Sequence, residues 1–195
     1  KGDDVLPELE ILSNNPLVKG VRCPIQHAKD PLSFARQPSL LKGIQHLASF
    51  DLSLDLCVHH SQLTAVDELV GKCPDVRFMI DHLGKPDIAN QILDPWRDQI
   101  RALSKHPHVW CKVSGLVTEA NLTNWQPGDL QPFLKHVFEC LGPDRLVFGG
   151  DWPVVTQACT LAFWIDTLEQ LLEAVPAPES RKIFYENARF FYRLG

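Results

Sequence analysis

Short runs of apolar and β-branched residues alternate along the chain with longer stretches whose apolar residues recur every three or four positions. The short runs lie at 18–22, 54–58, 77–82, 109–114 and 145–151, and predict strands. Between them, Leu40, Leu41, Ile44, Leu47 and Ala48 form one helical face. Leu63, Val66, Leu69 and Val70 form the next, followed by Ile92, Trp96, Ile100 and Leu103. A longer face runs from Leu130 through Phe133, Leu134, Val137 and Phe138 to Leu141, and helical patterns return over 161–175 and 179–194. Strand and helix in regular alternation predict βαβ units and a parallel sheet, so the class is α/β. An open doubly wound sheet and a closed barrel both satisfy this pattern. Polar residues recur where the runs end, at Arg22, His82, Ser114 and Asp151. That favours a barrel, whose strand ends converge on one mouth. Five strands are visible, against eight in a complete barrel.

The 195 residues suit one domain, 1–195, with a substantial core. Hydrophobic residues at 45% and charged residues at 22% exclude a disordered chain. A net charge of −5 without any Lys/Arg run argues against nucleic acid and anionic membrane surfaces as partners. No apolar run is long enough to span a membrane. The beginning, Lys1-Gly2-Asp3-Asp4, lacks an initiator Met and an apolar leader, and suggests a processed or shortened chain. The cysteines Cys23, Cys57, Cys73, Cys111, Cys140 and Cys159 are widely spaced and include no Cys-x-x-Cys. They read as reduced thiols of a cytoplasmic protein rather than as a disulfide framework or zinc cluster.

Four segments can carry chemistry. In Phe78-Met79-Ile80-Asp81-His82-Leu83-Gly84-Lys85-Pro86 an apolar strand runs into a histidine. Alternation puts His82 on the face of Ile80 and Phe78, with Asp81 turned away to tie down the loop. An imidazole there can bind a metal, polarise a carbonyl, move a proton or serve as a structural link. Lys85 can reach a ligand or remain solvated. In Gly149-Gly150-Asp151-Trp152-Pro153 two glycines precede an acid at a strand end, a setting for a general base or metal ligand. An N-cap is less suitable, because helical periodicity resumes only near Leu161. In Val109-Trp110-Cys111-Lys112-Val113-Ser114-Gly115, Lys112 and Ser114 share a face, lining the interior or pairing with a neighbouring strand. Arg22 ends its strand, as an anchor for a substrate carboxylate or hydroxyl or as a salt-bridge partner. His27, His46, His106 and His108 read as peripheral, while one of His59 and His60 can enter the site.

Together these segments resemble the fuconolactonase-like group of the amidohydrolase-2 family. The resemblance rests on Gly20-Val21-Arg22, Asp81-His82-Leu83-Gly84-Lys85-Pro86, Cys111-Lys112-Val113-Ser114-Gly115-Leu116, Gly149-Gly150-Asp151-Trp152-Pro153-Val154 and Ala188-Arg189-Phe190-Phe191-Tyr192. It implies a (β/α)8 TIM barrel of the amidohydrolase superfamily, here incomplete, with the first two strands missing. It further implies a hydrolase that opens sugar-acid or carboxylated lactones, with Asp151 and His82 catalytic. Arg22, Lys85, Lys112 and Trp152 would hold the substrate. The family's His-x-His at an early strand end has no counterpart, and Gly150 and Cys23 stand where the family carries Ser and often His. The expectation is therefore no cofactor, with Zn2+ as the alternative in a longer form that supplies the His-x-His. The rival activities are an amidohydrolase-2-type decarboxylase and a non-catalytic shortened form. The expected partner is a small lactone, and no oligomeric state follows from the pattern.

Overall fold

A computed structural model describes residues 2–195; Lys1, part of the terminus read above for a leader, lies outside them. The elements run α1 (Leu6–Ser13), β1 (Gly20–Cys23), α2 (Pro31–Ala35), α3 (Pro38–Ser49), β2 (Ser53–Leu56), α4 (Leu63–Gly71) and β3 (Phe78–Ile80). There follow α5 (Trp96–Leu103), β4 (Val109–Val113), α6 (Leu116–Glu119), α7 (Pro127–Leu141), β5 (Leu146–Phe148), α8 (Leu161–Leu171), α9 (Ala177–Arg181) and α10 (Asn187–Tyr192). The five strands are parallel and lie side by side in chain order. This order excludes a doubly wound sheet, in which strand order reverses. The described residues thus supply five of the eight strands of a (β/α) barrel. Among the described residues no helix is long and apolar enough to cross a membrane.

The register explains the distribution of side chains. Arg22 aligns with Asp55, Asp55 with Met79, Met79 with Trp110, and Lys112 with Val147. Residues in register share a face, so these line the barrel interior, while Leu54, Phe78, Ile80, Cys111 and Val113 face the helices. The core accordingly falls into two clusters. The larger lies between sheet and helices, and the smaller consists of Met79, Trp110, Val147 and Phe191 on the inner face. Phe191 reaches that face from α10, with its ring centroid 5.3 Å from that of Trp110. The neighbouring Tyr192 hydroxyl donates to Asp55 Oδ2 at 2.7 Å, and Arg193 Nη2 donates to the Lys19 carbonyl at 2.8 Å. The C-terminal segment therefore ties the last strand back to the first two.

Two buried tryptophans fix the loops that matter below. Trp96 at the start of α5 donates its indole N–H to the Leu83 carbonyl at 2.8 Å. Trp164 of α8 donates to the Gly149 carbonyl at 3.0 Å. In each case a ring buried for its apolar area also satisfies a loop carbonyl that has left the sheet.

All six cysteines are free. Burial pushes the Cys73 thiol up to about 11 and the Cys111 thiol up to about 12.

Candidate active site

β3 ends at Ile80, and the backbone then turns left-handed at His82 (φ 55°) and Leu83 (φ 53°). This corrects the expectation from strand alternation. Asp81 continues the inward row of Met79 and is fully buried inside the barrel. His82 would face outward with Ile80, and the left-handed turn re-aims it towards the mouth. Positive φ is costly for leucine and histidine, so the surroundings must enforce it. The Trp96–Leu83 bond is one such restraint. Gly115 is a second condition: at φ 66°, a Cβ placed there would lie 2.8 Å from His82 Nδ1. Only a glycine both adopts that conformation and leaves room for the imidazole.

His82 Nδ1 lies 2.8 Å from Ser114 Oγ, and its Nε2 lies 3.3 Å from Arg22 Nη2. A guanidinium can only donate, so Nε2 accepts and the ring proton resides on Nδ1, directed at the serine oxygen. Burial lowers the His82 pKa below its ordinary value, and Arg22 and Lys112 add to this against the opposing pull of Asp151 and Asp81. The imidazole is therefore neutral near pH 7. Asp151, also left-handed at φ 51°, brings its Oδ1 within 3.7 Å of His82 Nε2. A short 3-10 turn begins at Val154, sooner than the helical periodicity suggests, and the Asp151 carbonyl accepts from Val155 N at 2.9 Å.

Beneath this pair lies an ionic network centred on the fully buried Asp81, with the Arg22 side chain 55% exposed at its edge. Arg22 Nε donates to Asp81 Oδ2 at 2.8 Å, and Lys112 Nζ donates to Asp81 Oδ1 at 2.7 Å and to Asp55 Oδ2 at 2.8 Å. Burial opposes the charge on Lys112, but the Asp81 and Asp55 carboxylates outweigh it and hold the ammonium above its ordinary pKa. Asp55 Oδ1 is buried without a hydrogen-bond partner.

Above the network opens a cavity of about 580 Å3, lined among others by Arg22, Gln26, His82, Lys85, Glu119 and Asp151. The candidates named from sequence are thus placed unequally. Asp151, His82, Arg22 and Lys85 face this cavity. Lys112 belongs to the network below it, and Trp152 stands beside it, 70% exposed. His27, read as peripheral, lines the cavity, while among the described residues His59 and His60 do not. His106 bonds Asp67 at 3.0 Å, and His108 bonds the Val70 carbonyl at 3.1 Å near the end of α4.

Asp55, Gln26, Glu119 and Tyr192 escaped the sequence reading of the site. For Asp55 the signal was present, an acid between Leu54 and Leu56 in a strand. Gln26 and Glu119 sit outside the strands, where no periodicity marks a residue as facing a cavity.

The family model described as "Amidohydrolase" matches residues 1–194. The chain belongs to the amidohydrolase family. Within it the sequence is fuconolactonase-like. It is 32% identical over 200 residues to an L-fucono-1,5-lactonase of Burkholderia ambifaria, covering 100% of this chain and 68% of that protein. It is 34% identical over 168 residues to an L-fucono-1,5-lactonase of Burkholderia multivorans, covering 80% of this chain and 54% of that protein. A crystal structure of a Burkholderia multivorans amidohydrolase with bound zinc superposes with a TM-score of 0.93 at 29% identity, covering 98% of this amidohydrolase chain and 70% of that one. The chain therefore spans between about half and 70% of these relatives' lengths.

The zinc in that relative prompts a test of the donors present in this amidohydrolase. Cys57 Sγ, an Asp81 oxygen and a His82 nitrogen lie within 4.8 Å of one another. Both Asp81 oxygens already accept from cations, Arg22 Nη2 sits at His82 Nε2, and the Cys57 thiol donates to Gln26 Oε1 at 3.3 Å. Burial raises the Cys57 pKa, which disfavours the thiolate a metal requires. As these side chains stand, the three do not fit a divalent cation, which would have to sit against a guanidinium.

Proposed function

We propose that this amidohydrolase chain carries the catalytic half of a lactone hydrolase, in which Asp151 activates water. The observation that carries the reading is the convergence of Asp151 and His82, 3.7 Å apart from two different strand ends, on one cavity that Arg22 also lines. That two of the three named Burkholderia relatives are L-fucono-1,5-lactonases supports the reaction class.

In this mechanism the lactone carbonyl lies against Arg22, and a water sits between it and the Asp151 carboxylate. Asp151 takes a proton as the water oxygen bonds to the carbonyl carbon. The developing oxyanion receives N–H donors from Arg22, whose charge Asp81 orients from below. Collapse of the tetrahedral intermediate breaks the ring C–O bond. Asp151 returns its proton to the leaving alkoxide, and the product is the open hydroxy acid. With its proton on Nδ1, His82 offers Nε2 as an acceptor that positions Arg22 and the water. Oxyanion donation by His82 would require the other tautomer, with Ser114 donating to Nδ1.

The test is ring opening of an aldonolactone by the full-length protein, followed by proton release. Asp151→Asn keeps the shape and removes the base, so kcat should fall by about 10^2–10^4-fold with an unchanged melting temperature. Full activity in that variant, or release of CO2 in place of ring opening, refutes the proposal.

A further inference from the structure

The charges around the cavity are already matched. Arg22 is held by Asp81 at 2.8 Å, and Lys112 by Asp81 and Asp55 at 2.7 and 2.8 Å. Lys85 Nζ faces Glu119 Oε1 at 3.8 Å and donates to Gln26 Oε1 at 2.8 Å. Every lysine and arginine lining the cavity among the described residues thus has a carboxylate partner. Three cations in the site and the network below it, Arg22, Lys85 and Lys112, face four carboxylates, Asp55, Asp81, Glu119 and Asp151. Among the described residues, Asp151 has the neutral His82 as its one ionisable partner at contact distance.

Of the two carboxylates lining the cavity among the described residues, Glu119 has no part in the chemistry proposed above. It closes α6, directly after the strand-end loop that holds Ser114 and Gly115, and its side chain is 23% exposed. Burial raises its pKa, Lys85 opposes this, and Asp151 and Asp87 add to it. Its oxygens are well suited to accept from substrate hydroxyls, while Lys85 and Gln26 beside it supply donors. A second anion entering this cavity would meet Glu119 and Asp151 with no unpaired cation to receive it.

We propose that Glu119, paired with Lys85 on the cavity wall, is a specificity-determining residue that selects neutral, polyhydroxylated lactones and rejects lactones bearing a carboxylate or sulfonate. This rests on the lactonase reading for the identity of the ring, whereas the charge selection itself is a property of the cavity. A vicinal diol can donate to the Glu119 carboxylate and accept from Lys85. An acidic substituent in the same place meets like charge, and like charges juxtaposed in a partly buried site weaken binding strongly.

The test measures binding separately from turnover. Calorimetry on the full-length protein would compare a neutral aldonolactam with 5-oxoproline, a lactam carrying a carboxylate, neither of them a ready substrate for ring opening. The wild type should bind the neutral compound at least about tenfold more tightly, a modest share of the full like-charge penalty. Glu119→Gln should narrow that ratio by about tenfold or more. Glu119→Asp, which keeps the charge, should retain it. Lys85→Met, which leaves Glu119 without its counter-ion, should widen it.

Equal or tighter binding of 5-oxoproline by the wild type overturns the proposal. So does a Glu119→Gln variant that weakens both ligands equally, as a merely structural residue would. If the binding ratios behave as stated but neither an aldonolactone nor muconolactone is opened, the charge selection stands and the lactonase reading falls.

Discussion

Replacing Lys112 with methionine separates the two roles that the sequence allows this residue, substrate holder or structural cation. In the fold its ammonium lies 2.7 Å from Asp81 Oδ1 and 2.8 Å from Asp55 Oδ2. At an effective dielectric of about 20, each such contact is worth about 6 kcal/mol before the cost of desolvating the ions. That cost consumes most of the gross attraction. Removing one partner of a buried pair leaves the other uncompensated, at about 3–5 kcal/mol net. The lysine side chain is 21% exposed, and Asp81 and Asp55 keep Arg22 and Tyr192 respectively, so the lower end applies. With a urea m-value of about 2 kcal/mol/M, a loss of about 3 kcal/mol moves the unfolding midpoint down by about 1.5 M. The double variant Lys112→Met/Asp55→Asn should recover part of this, because it removes a stranded carboxylate along with the cation. An unchanged midpoint accompanied by a raised KM would refute the reasoning and return Lys112 to the substrate.

Three further outcomes follow from the same geometry. Gly115→Ala forces a Cβ to within 2.8 Å of His82 Nδ1 at positive φ; it should cost about 1–3 kcal/mol in urea unfolding and lower kcat by displacing the ring. Burial depresses the His82 pKa in the folded state, so the unfolded chain binds the proton more readily; stability is complete above about pH 6.5 and declines as pH falls from there towards the folded value. His82→Asn should flatten that part of the stability–pH curve, and an unaltered slope would remove His82 as its source. In native protein at pH 8 the buried Cys73 and Cys111 should resist a thiol reagent, while all six cysteines should react after denaturation without reductant; a count below six would reveal a disulfide.

The order of strands and helices was legible because alternating periods of two and about 3.6 are imposed by local geometry and need no distant partner. The five strand runs at 18–22, 54–58, 77–82, 109–114 and 145–151 each overlap an observed strand that is shorter by one to four residues, with β1 ending one residue later, at Cys23, and β2 starting one earlier, at Ser53. Strand ends in a parallel barrel open at one mouth, so the meeting of Asp151, His82 and Arg22 also followed from position alone. Alternation failed where the backbone left the sheet. It kept Asp81 with Met79, as observed, but left His82 with Ile80 on the helix-facing side, because a left-handed pair at His82 and Leu83 breaks the period. Those dihedrals are enforced by Trp96 and permitted by Gly115, from elements 13 and 33 positions further along the chain than Leu83 and His82. Charge partners were equally hidden. That Lys112 serves Asp55 and Asp81, and that Tyr192 reaches Asp55 from 137 positions away, depends on strand register and on the path of α10 across the inner face. Local sequence determines which face a strand residue takes while the strand lasts; which side chains neutralise, orient or crowd one another is decided by packing between elements that no local pattern relates.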